Sequence, residues 1–541
     1  MHIKKVAIIG GGSSGWMTAA ALAKLCPHLE VELVESEDYA TVGVGESTLG
    51  HINRFLRLLG LEDKDWMAAC NATYKNSIRF TNFRDNDNTS FEYPFGSGYD
   101  YTDAHDGLQT WGKLSSLYPE EFTPETFARM YCPTNTALAE QNKQTRDEEG
   151  KLRNYDFTYD TAYHMDATAF GQYLKTEICI PNGVTHTLGT VHSYNQDSRG
   201  YFTSIMLSNG NGVQADLFID CTGFKSLLLE KWLGEQFIPF TPHLQNDKAL
   251  ACRLPYTNRE EQMHNVTDCH ALGNGWVWNI PLWHRIGTGY VYSSRFVSLE
   301  GAMNEFRAHL EEVHGKEIAD AAQMSQIDIK HGRRRKAWAQ NVVGIGLSYG
   351  FVEPLESTGL LTTHENIIKL VDVLNRRDGY CTQAERDGYN YAVEYDLLAF
   401  RDFVSQHYAL SRRTDTPYWR YVTQTVVYHP IAFNDFLPQQ NSYTNLLGAI
   451  SGGNVYQETQ QGNNYIAAGM GVRNISTKEL VLEEVNNQVA RGVPDASGRL
   501  EDSRRRYHQH QEWLADYVSK LPSHYEYLKE NIYGGVDNFK D

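Results

Sequence analysis

The chain is poor in positive charge and lacks a basic face for a polyanion. Its 541 residues hold 49 Lys and Arg against 67 Asp and Glu, a formal net charge of −18. A nucleic-acid backbone is bound through a Lys/Arg footprint, so that class of partner is excluded. The one dense basic run, Arg333-Arg334-Arg335-Lys336, reads as a solvated face or a partner for local carboxylates, or else as a phosphate contact or structural brace. No apolar run reaches membrane-spanning length. Met1-His2-Ile3-Lys4-Lys5 leads straight into a short strand pattern, without the apolar stretch of a signal peptide. The eight cysteines (Cys26, Cys70, Cys132, Cys179, Cys221, Cys252, Cys269 and Cys381) form no CxxC pair and suggest neither a zinc site nor a disulfide framework, which fits a reducing cytoplasm. Neither an internal repeat nor a coiled coil interrupts the pattern.

What is present is a large, aromatic-rich globular composition, with 33 Tyr and 10 Trp. The length exceeds that of a single core, so two layers or lobes are expected. Lys5-Val6-Ala7-Ile8-Ile9 is a compact apolar run typical of a buried parallel strand. It enters Gly10-Gly11-Gly12-Ser13-Ser14-Gly15, then a small-residue helix, then a second strand, Val31-Glu32-Leu33-Val34, ending at Glu35. A GxGxxG between strand and helix, with an acid about twenty residues on, is the spacing of a dinucleotide-binding start. Gly10 permits the tight turn, Gly12 lets a pyrophosphate approach the backbone, and Gly15 lets helix pack on strand. Ser13 and Ser14 open the helix, whose N-terminal amides face the phosphates. Glu35 can accept hydrogen bonds from ribose hydroxyls. The later strand Leu217-Phe218-Ile219-Asp220, with its Cys221-Thr222-Gly223 turn, is similar to the segment with which flavoprotein monooxygenases return to their cofactor, and favours FAD over NAD.

Strand pieces follow at Ile78–Phe80 and Phe91–Tyr93, and alternating strands occupy 183–224 around an Asn209-Gly210 turn, the last running from Val213 to Ile219. Residues 95–160 are polar, Gly/Asp/Thr-rich and irregular, like an inserted lobe or lid. Apolar spacing turns helical over 297–322 and dominates from 361 onward, with a Gln/Asn/Gly-rich loop or lid at 436–466. The predicted organisation is α/β: a FAD-binding, flavin-monooxygenase-like domain over 1–375 (a Rossmann-type start plus a β-sheet substrate region), carrying an inserted substrate-side segment at about 90–165. A mainly helical C-terminal subdomain over 376–541 follows.

Four further segments carry specific patterns. Trp276-Val277-Trp278-Asn279-Ile280-Pro281 places two indoles on one face of a strand. Gly332-Arg333-Arg334 is followed by Trp338, by Asn341 to Leu347, and by Gly350-Phe351-Val352-Glu353-Pro354-Leu355-Glu356-Ser357-Thr358-Gly359-Leu360. Ala72-Thr73-Tyr74-Lys75-Asn76-Ser77-Ile78-Arg79-Phe80 embeds a lone lysine in a strand-like run, and Gly43-Val44-Gly45-Glu46-Ser47-Thr48 is a Gly-rich connection. These segments, recurring in order across most of the chain, resemble those of the flavin-dependent halogenases of the tryptophan-halogenase type.

The resemblance implies an FADH2-dependent enzyme that uses O2 and a halide ion to make hypohalous acid, which travels internally to a lysine and halogenates an electron-rich arene, an indole first. It assigns Lys75 and Glu356 to catalysis, and Thr358 and Gly359 to the halide, whose amides form a small anion nest. Trp276, Trp278, Ile280 and Pro281 would wall a passage too tight for the arene. Gly45, Glu46 and Ser47 would belong to a strap over the flavin, with Leu347 and Leu360 beside the cofactor. Lys75 acts either by hydrogen-bonding the oxidant or as a haloamine. Glu356 would orient the oxidant, stabilise the cationic ring intermediate or take its proton. A separate flavin reductase is expected, since no second nucleotide fingerprint is evident; a homodimer is a family-level expectation.

The pattern departs where the family binds free tryptophan. Tyr93-Pro94-Phe95 stands where a His-Pro-Phe triplet is expected, and Gln460-Gln461-Gly462-Asn463-Asn464-Tyr465 lacks the expected tryptophan. Tyr93 and Phe95 are the candidate substrate-pocket residues, Phe95 by stacking on a ring. Free indole, a substituted indole, a phenol or a peptide-like arene all stay open. Two other functions compete: an aromatic hydroxylase, disfavoured by the paired tryptophans and Lys75, and a non-catalytic flavoprotein, disfavoured by Lys75 together with Glu356.

Overall fold

The computed structural model describes residues 1–36, 45–96, 107–425, 460–471, 478–490 and 496–535. Gly43 and Val44 of the strap, and residues 436–459 of the expected lid, lie outside the described residues.

The first strand, Lys5–Ile9, is apolar on both faces and sits inside a six-stranded sheet. It pairs in parallel with Glu30–Glu35 on one side and with Leu217–Asp220 on the other. Val342–Gly344 and Thr185–Leu188 extend the parallel sheet outward, and Trp338–Ala339 closes one edge antiparallel. Such a sheet needs cover on both faces, and the helix Ser13–Leu25 buries Trp16, Met17 and three alanines for that purpose. The returning strand is pinned by Asp220, whose buried carboxylate accepts hydrogen bonds from the amides of Thr222, Leu228 and Leu229. The architecture is α/β, with a dinucleotide-binding start as expected.

A seven-stranded sheet forms the second layer, in the order 325–328, 248–254, 286–292, 275–281, 266–271, 77–81, 90–94. Its pairings are antiparallel except for 266–271 beside 77–81. A third, three-stranded sheet joins Glu46–Ser47, Ala162–Met165 and Thr73–Lys75. This small sheet lies where the two layers meet and supplies several of the polar side chains of the site below.

Three readings of the chain need correction. Residues 95–160 are not irregular: Gly107–Leu117, Thr126–Tyr131 and Pro133–Glu140 are helices. Trp111, Phe122 and Phe127 from this segment share a buried cluster with Tyr465 and Tyr507 from far along the chain, so the apolar partner that makes them helical is remote. Residues 460–466 are not loop but part of the helix Gln460–Gly469, whose Tyr465, Ile466 and Ala467 are buried. The single strand read from Val213 to Ile219 is two, Gly212–Gln214 and Leu217–Asp220, the first closing a hairpin through Gly210 at φ +87°. Beyond residue 357 every described regular element is helical, including Thr358–Asn375 and Gln383–Ala409.

The basic run is a set of local ion pairs. Arg334 is 1% exposed and meets Glu230 at 2.5 Å, and Arg333 pairs with Glu394. The reading as a partner for local carboxylates is the one the geometry supports.

Candidate active site

The glycine turn has the shape of a phosphate cradle. Gly10 sits at φ +116°, and a Cβ there would lie 2.3 Å from the Cys221 carbonyl oxygen. A Cβ at Gly15 would lie 1.9 Å from the Gly10 oxygen, so this residue allows helix and strand to touch. Gly12 is different: nothing lies within 4 Å of its added Cβ. That open space faces the N-terminus of Ser13–Leu25, where unpaired amides and the helix dipole favour a pyrophosphate. Glu35 ends its strand beside the turn, where its carboxylate pairs with Lys175 at 3.0 Å and His186 at 2.8 Å. These features fit the dinucleotide portion of FAD.

The small sheet also carries a cluster of buried polar side chains. Lys75 is 0% exposed. Its ammonium donates to the Thr48 carbonyl at 2.9 Å and to Ser357 Oγ at 2.8 Å, and lies 4.9 Å from the centre of the Phe95 ring. Burial pulls its pKa down to about 7, against smaller upward pulls from Cys269 and Glu356. A lysine that exchanges its proton near neutrality is chemically unusual and matches a functional site.

Glu356 is the residue before Ser357 and is likewise fully buried. Burial raises its carboxyl, while His407 and Lys75 pull it back. His407 Nε2 lies 2.6 Å from Glu356 Oε1, and its Nδ1 is 3.1 Å from the Phe403 carbonyl. A carbonyl only accepts, so Nδ1 carries a proton and Nε2 is turned to the carboxyl group. Phe80, Phe83 and Phe403 surround the imidazole ring.

The chain then reverses sharply. Ser357 has φ +57°, following the right-handed turn at Pro354–Glu356, and Thr358 opens the helix Thr358–Asn375. Right-handed then left-handed backbone is the geometry that points successive amides into one concavity. As the first residues of a helix, Thr358 and Gly359 have no intrahelical acceptor for their N–H groups. Thr358 Oγ1 is buried without a hydrogen-bond partner among the described residues, and only Glu46 Oε2, at 3.7 Å, approaches an added Cβ on Gly359. A small anion fits this donor set. Glu46, Ser47 and Gly45 reach the same corner from the strap: Ser357 Oγ donates to Ser47 Oγ at 2.9 Å, and burial pushes Glu46 up to about 7. Leu347 is half-buried with its carbonyl on Arg334, and Leu360 is buried in the first turn of the helix.

Trp276 and Trp278 lie on the strand Gly275–Pro281 with ring centres 6.3 Å apart. Trp276 Nε1 donates to the buried Glu353 at 3.3 Å, and the Trp278 ring occupies the space that a Cβ on Gly289 would fill. Ile280 packs against Gly45, and the Pro281 carbonyl accepts from Thr73. Tyr93 stacks on Tyr465 at 5.2 Å and meets Phe95 and Phe403 edge-on. Thus Lys75, Ser357, Ser47 and Phe95 are in contact beside Glu356, Thr358 and Gly359, while Gly10, Gly12, Ser13, Ser14, Gly15 and Glu35 form the cradle.

The sequence reading missed His407, His164, Ser357 and Phe403. His407 and Phe403 share a helix face at i, i+4, but that spacing reads as core. No local signal links His407 to a glutamate 51 positions earlier.

Comparison with known proteins identifies the family. A family model described as Tryptophan halogenase matches residues 5–479. The 7-chloro-L-tryptophan 6-halogenase KtzR of Kutzneria sp. (strain 744) is 35% identical over 438 residues, covering 76% of this chain and 80% of that protein. Among solved structures, VirX1 in its apo form is 54% identical with a TM-score of 0.89, covering 99% of this chain and 100% of that one. Tar14, a tryptophan C-6 flavin-dependent halogenase (chlorinase) from taromycin biosynthesis, is 31% identical with a TM-score of 0.81, covering 97% and 99%.

Proposed function

The chain belongs to the tryptophan halogenase family, and from that premise we propose that its buried lysine directs halogen onto an indole-type arene. The protein is a flavin-dependent halogenase that uses FADH2, O2 and a halide ion, with reduced flavin supplied by a separate reductase. Bound reduced flavin and O2 supply the two-electron oxidation that turns halide into hypohalous acid. The residues that would hold the cofactor are Gly10, Gly12, Ser13, Ser14, Gly15 and Glu35 at the dinucleotide end, and Gly45, Glu46, Ser47, Leu347 and Leu360 nearer the lysine.

Thr358 and Gly359 hold the halide through helix-start amides. Trp276, Trp278, Ile280 and Pro281 keep the arene out while a small oxidant passes. Lys75 receives the oxidant and presents it to the ring. Glu356 faces the same space as a buried acceptor for the proton that the ring releases, with His407 behind it to take part of the charge. Tyr93 and Phe95 line the arene pocket together with Tyr465 and Phe403. The division at about residue 375 falls at the end of the helix Thr358–Asn375, the first of the C-terminal helices. The eight free and buried cysteines support a cytoplasmic location, and the homodimer remains an inference from the family.

The single observation that carries this reading is Lys75: a fully buried ammonium hydrogen-bonded to Ser357, between Glu356 and a helix start. Lys75→Ala should bind FAD as the parent does and yet lose halogenated product from an indole panel assayed by mass spectrometry with a reductase, NADH, O2 and each halide. Retained product would remove Lys75 from the mechanism.

A further inference from the structure

Lys75 is the first member of a hydrogen-bond chain that runs away from the arene pocket. Its ammonium donates to Ser357 Oγ at 2.8 Å, and Ser357 Oγ donates to Ser47 Oγ at 2.9 Å. Ser47 Oγ lies 2.7 Å from Thr267 Oγ1, which lies 2.8 Å from His164 Nε2. His164 Nδ1 is 3.3 Å from Thr73 Oγ1, and Thr73 donates to the Pro281 carbonyl at 2.7 Å. Every member is buried, none more than 6% exposed. The small sheet sets the spacing: His164 is the register partner of both Ser47 and Thr73.

The direction of the chain follows from its far end. The Pro281 carbonyl can only accept, so Thr73 spends its proton there and must accept from His164 Nδ1. His164 Nε2 is then a lone pair, which takes the Thr267 proton; Thr267 accepts from Ser47, Ser47 from Ser357, and Ser357 from Lys75. A single carbonyl therefore polarises five hydrogen bonds, all pointing away from the lysine. With the second acceptor at the Thr48 carbonyl, two of the lysine's N–H groups are committed outward. The third N–H faces Phe95.

We propose that Ser357, Ser47, Thr267 and His164 are a proton relay that takes one proton from Lys75 and returns it during the halogenation cycle. This rests on the assignment of Lys75 as the residue that receives the oxidant. In the forward direction Lys75 gives a proton to Ser357 as Ser357 passes its own to Ser47, Ser47 to Thr267, and Thr267 to His164 Nε2. The products are a neutral amine, whose lone pair is left toward Ser357 and comes to the pocket by rotation about Cε–Nζ, and an imidazolium; no other covalent bond changes and no electrons are transferred. Return reverses each hop and restores the ammonium. The relay ends at His164, which is enclosed, so the proton is held inside the protein. His164 acts through Lys75 and is a positioning residue.

At rest burial, reinforced by the charged neighbours, keeps His164 neutral and leaves the proton on Lys75. Lys75 and His524 both hold His164 neutral in addition to its burial. The Lys75 contribution vanishes when the proton moves, so the acceptor becomes more basic as the donor is discharged. Cys269 and Glu356 face the lysine from the other side and favour its charge. The hydroxyls contribute no titration of their own in this range.

The test uses the FAD-loaded enzyme. Nitrogen-15 NMR of histidine-labelled protein should show His164 protonated at Nδ1 and bare at Nε2; the opposite tautomer would reverse the chain and overturn the proposal. Thr267→Val cuts the relay, His164→Gln keeps hydrogen bonds but takes up no proton, and Thr267→Ser restores the hydroxyl. The Lys75 Cε resonance should titrate about one pH unit higher in the first two variants, and the acidic limb of the halogenation pH profile should fall about tenfold with it. Thr267→Ser should match the parent. Profiles and titrations of Thr267→Val and His164→Gln that overlay the parent would sink the relay while leaving Lys75 in place. Halogenation surviving in Lys75→Ala would instead sink the reading on which it rests.

Discussion

Replacing Lys75 by methionine should abolish halogenation and make the protein more stable at acid and neutral pH. The ammonium is sealed from solvent, and burial holds its pKa at about 7 in place of 10.5. Between those values the unfolded chain carries a proton at this site that the folded protein has released. Stability therefore rises with pH across that window, and the penalty for the buried charge is complete below it. At ~1.36 kcal/mol per pH unit the full penalty is ~5 kcal/mol, and about 2 kcal/mol of it remains near pH 9. Methionine has a similar stem and no charge, but it strands two acceptors, the Thr48 carbonyl and Ser357 Oγ, at ~1 kcal/mol each. The net gain is about 3 kcal/mol near pH 6, vanishing near pH 9. Glu356 loses a favourable neighbour at the same time, which trims the gain without reversing its trend with pH. Urea midpoints of flavin-free Lys75→Met and parent protein, compared at the two pH values, measure the effect; flavin is omitted because a ligand that binds only the folded state adds its own stabilisation. A variant less stable than the parent at the lower pH, or a gap that does not change with pH, would refute the reasoning.

Three further outcomes follow from particular contacts. Gly12→Val should weaken FAD binding more than tenfold with little change in the melting temperature of the apoprotein, because its side chain enters open space; Gly15→Ala should instead lower the melting temperature, since its Cβ would meet the Gly10 oxygen. Gly359→Pro removes one helix-start amide at a position where proline is tolerated, and should raise the halide KM at least tenfold while flavin affinity, read by fluorescence, stays unchanged. His407→Leu removes the partner that pulls the Glu356 carboxyl down, so the pH below which that group is protonated should rise and activity at the acid end of a pH-rate profile should fall; an unmoved acid limb would separate His407 from the function of Glu356.

The sequence carried the cradle in full, because a glycine turn between strand and helix is a local arrangement with a local spacing. The helices within 107–140 and at Gln460–Gly469 were illegible for the opposite reason. Their apolar faces are completed by each other, Trp111 and Phe127 against Tyr465 across more than three hundred residues, and neither segment alone has a periodic stripe strong enough to show it. Lys75, Glu356, Thr358 and Gly359 were found through resemblance rather than physics, since one buried lysine looks like any surface lysine until its strand is placed. His164 and His407 carry no motif at all, and Ser357, though inside the 350–360 segment, has no pattern of its own that marks it. Their importance comes from who stands beside them: Thr267 is 103 positions from His164, and Ser357 is 282 from Lys75. The paired tryptophans were placed correctly on one strand, yet the Glu353 carboxylate that anchors Trp276 was not foreseen.

The two-residue strand Glu46–Ser47 ties the enzyme's two halves into one thermodynamic unit. Glu46 lies against Gly359 at the helix start, while Ser47 holds the lysine's network through Ser357. Both residues share one short pairing with Ala162–Met165, so a ligand that shifts one shifts the backbone of the other. By reciprocity, whatever factor cofactor loading imposes on arene affinity, the arene must impose on cofactor affinity. Engineering the pocket for a new arene thus retunes flavin retention as well, and selection for either property alone would drag the other with it.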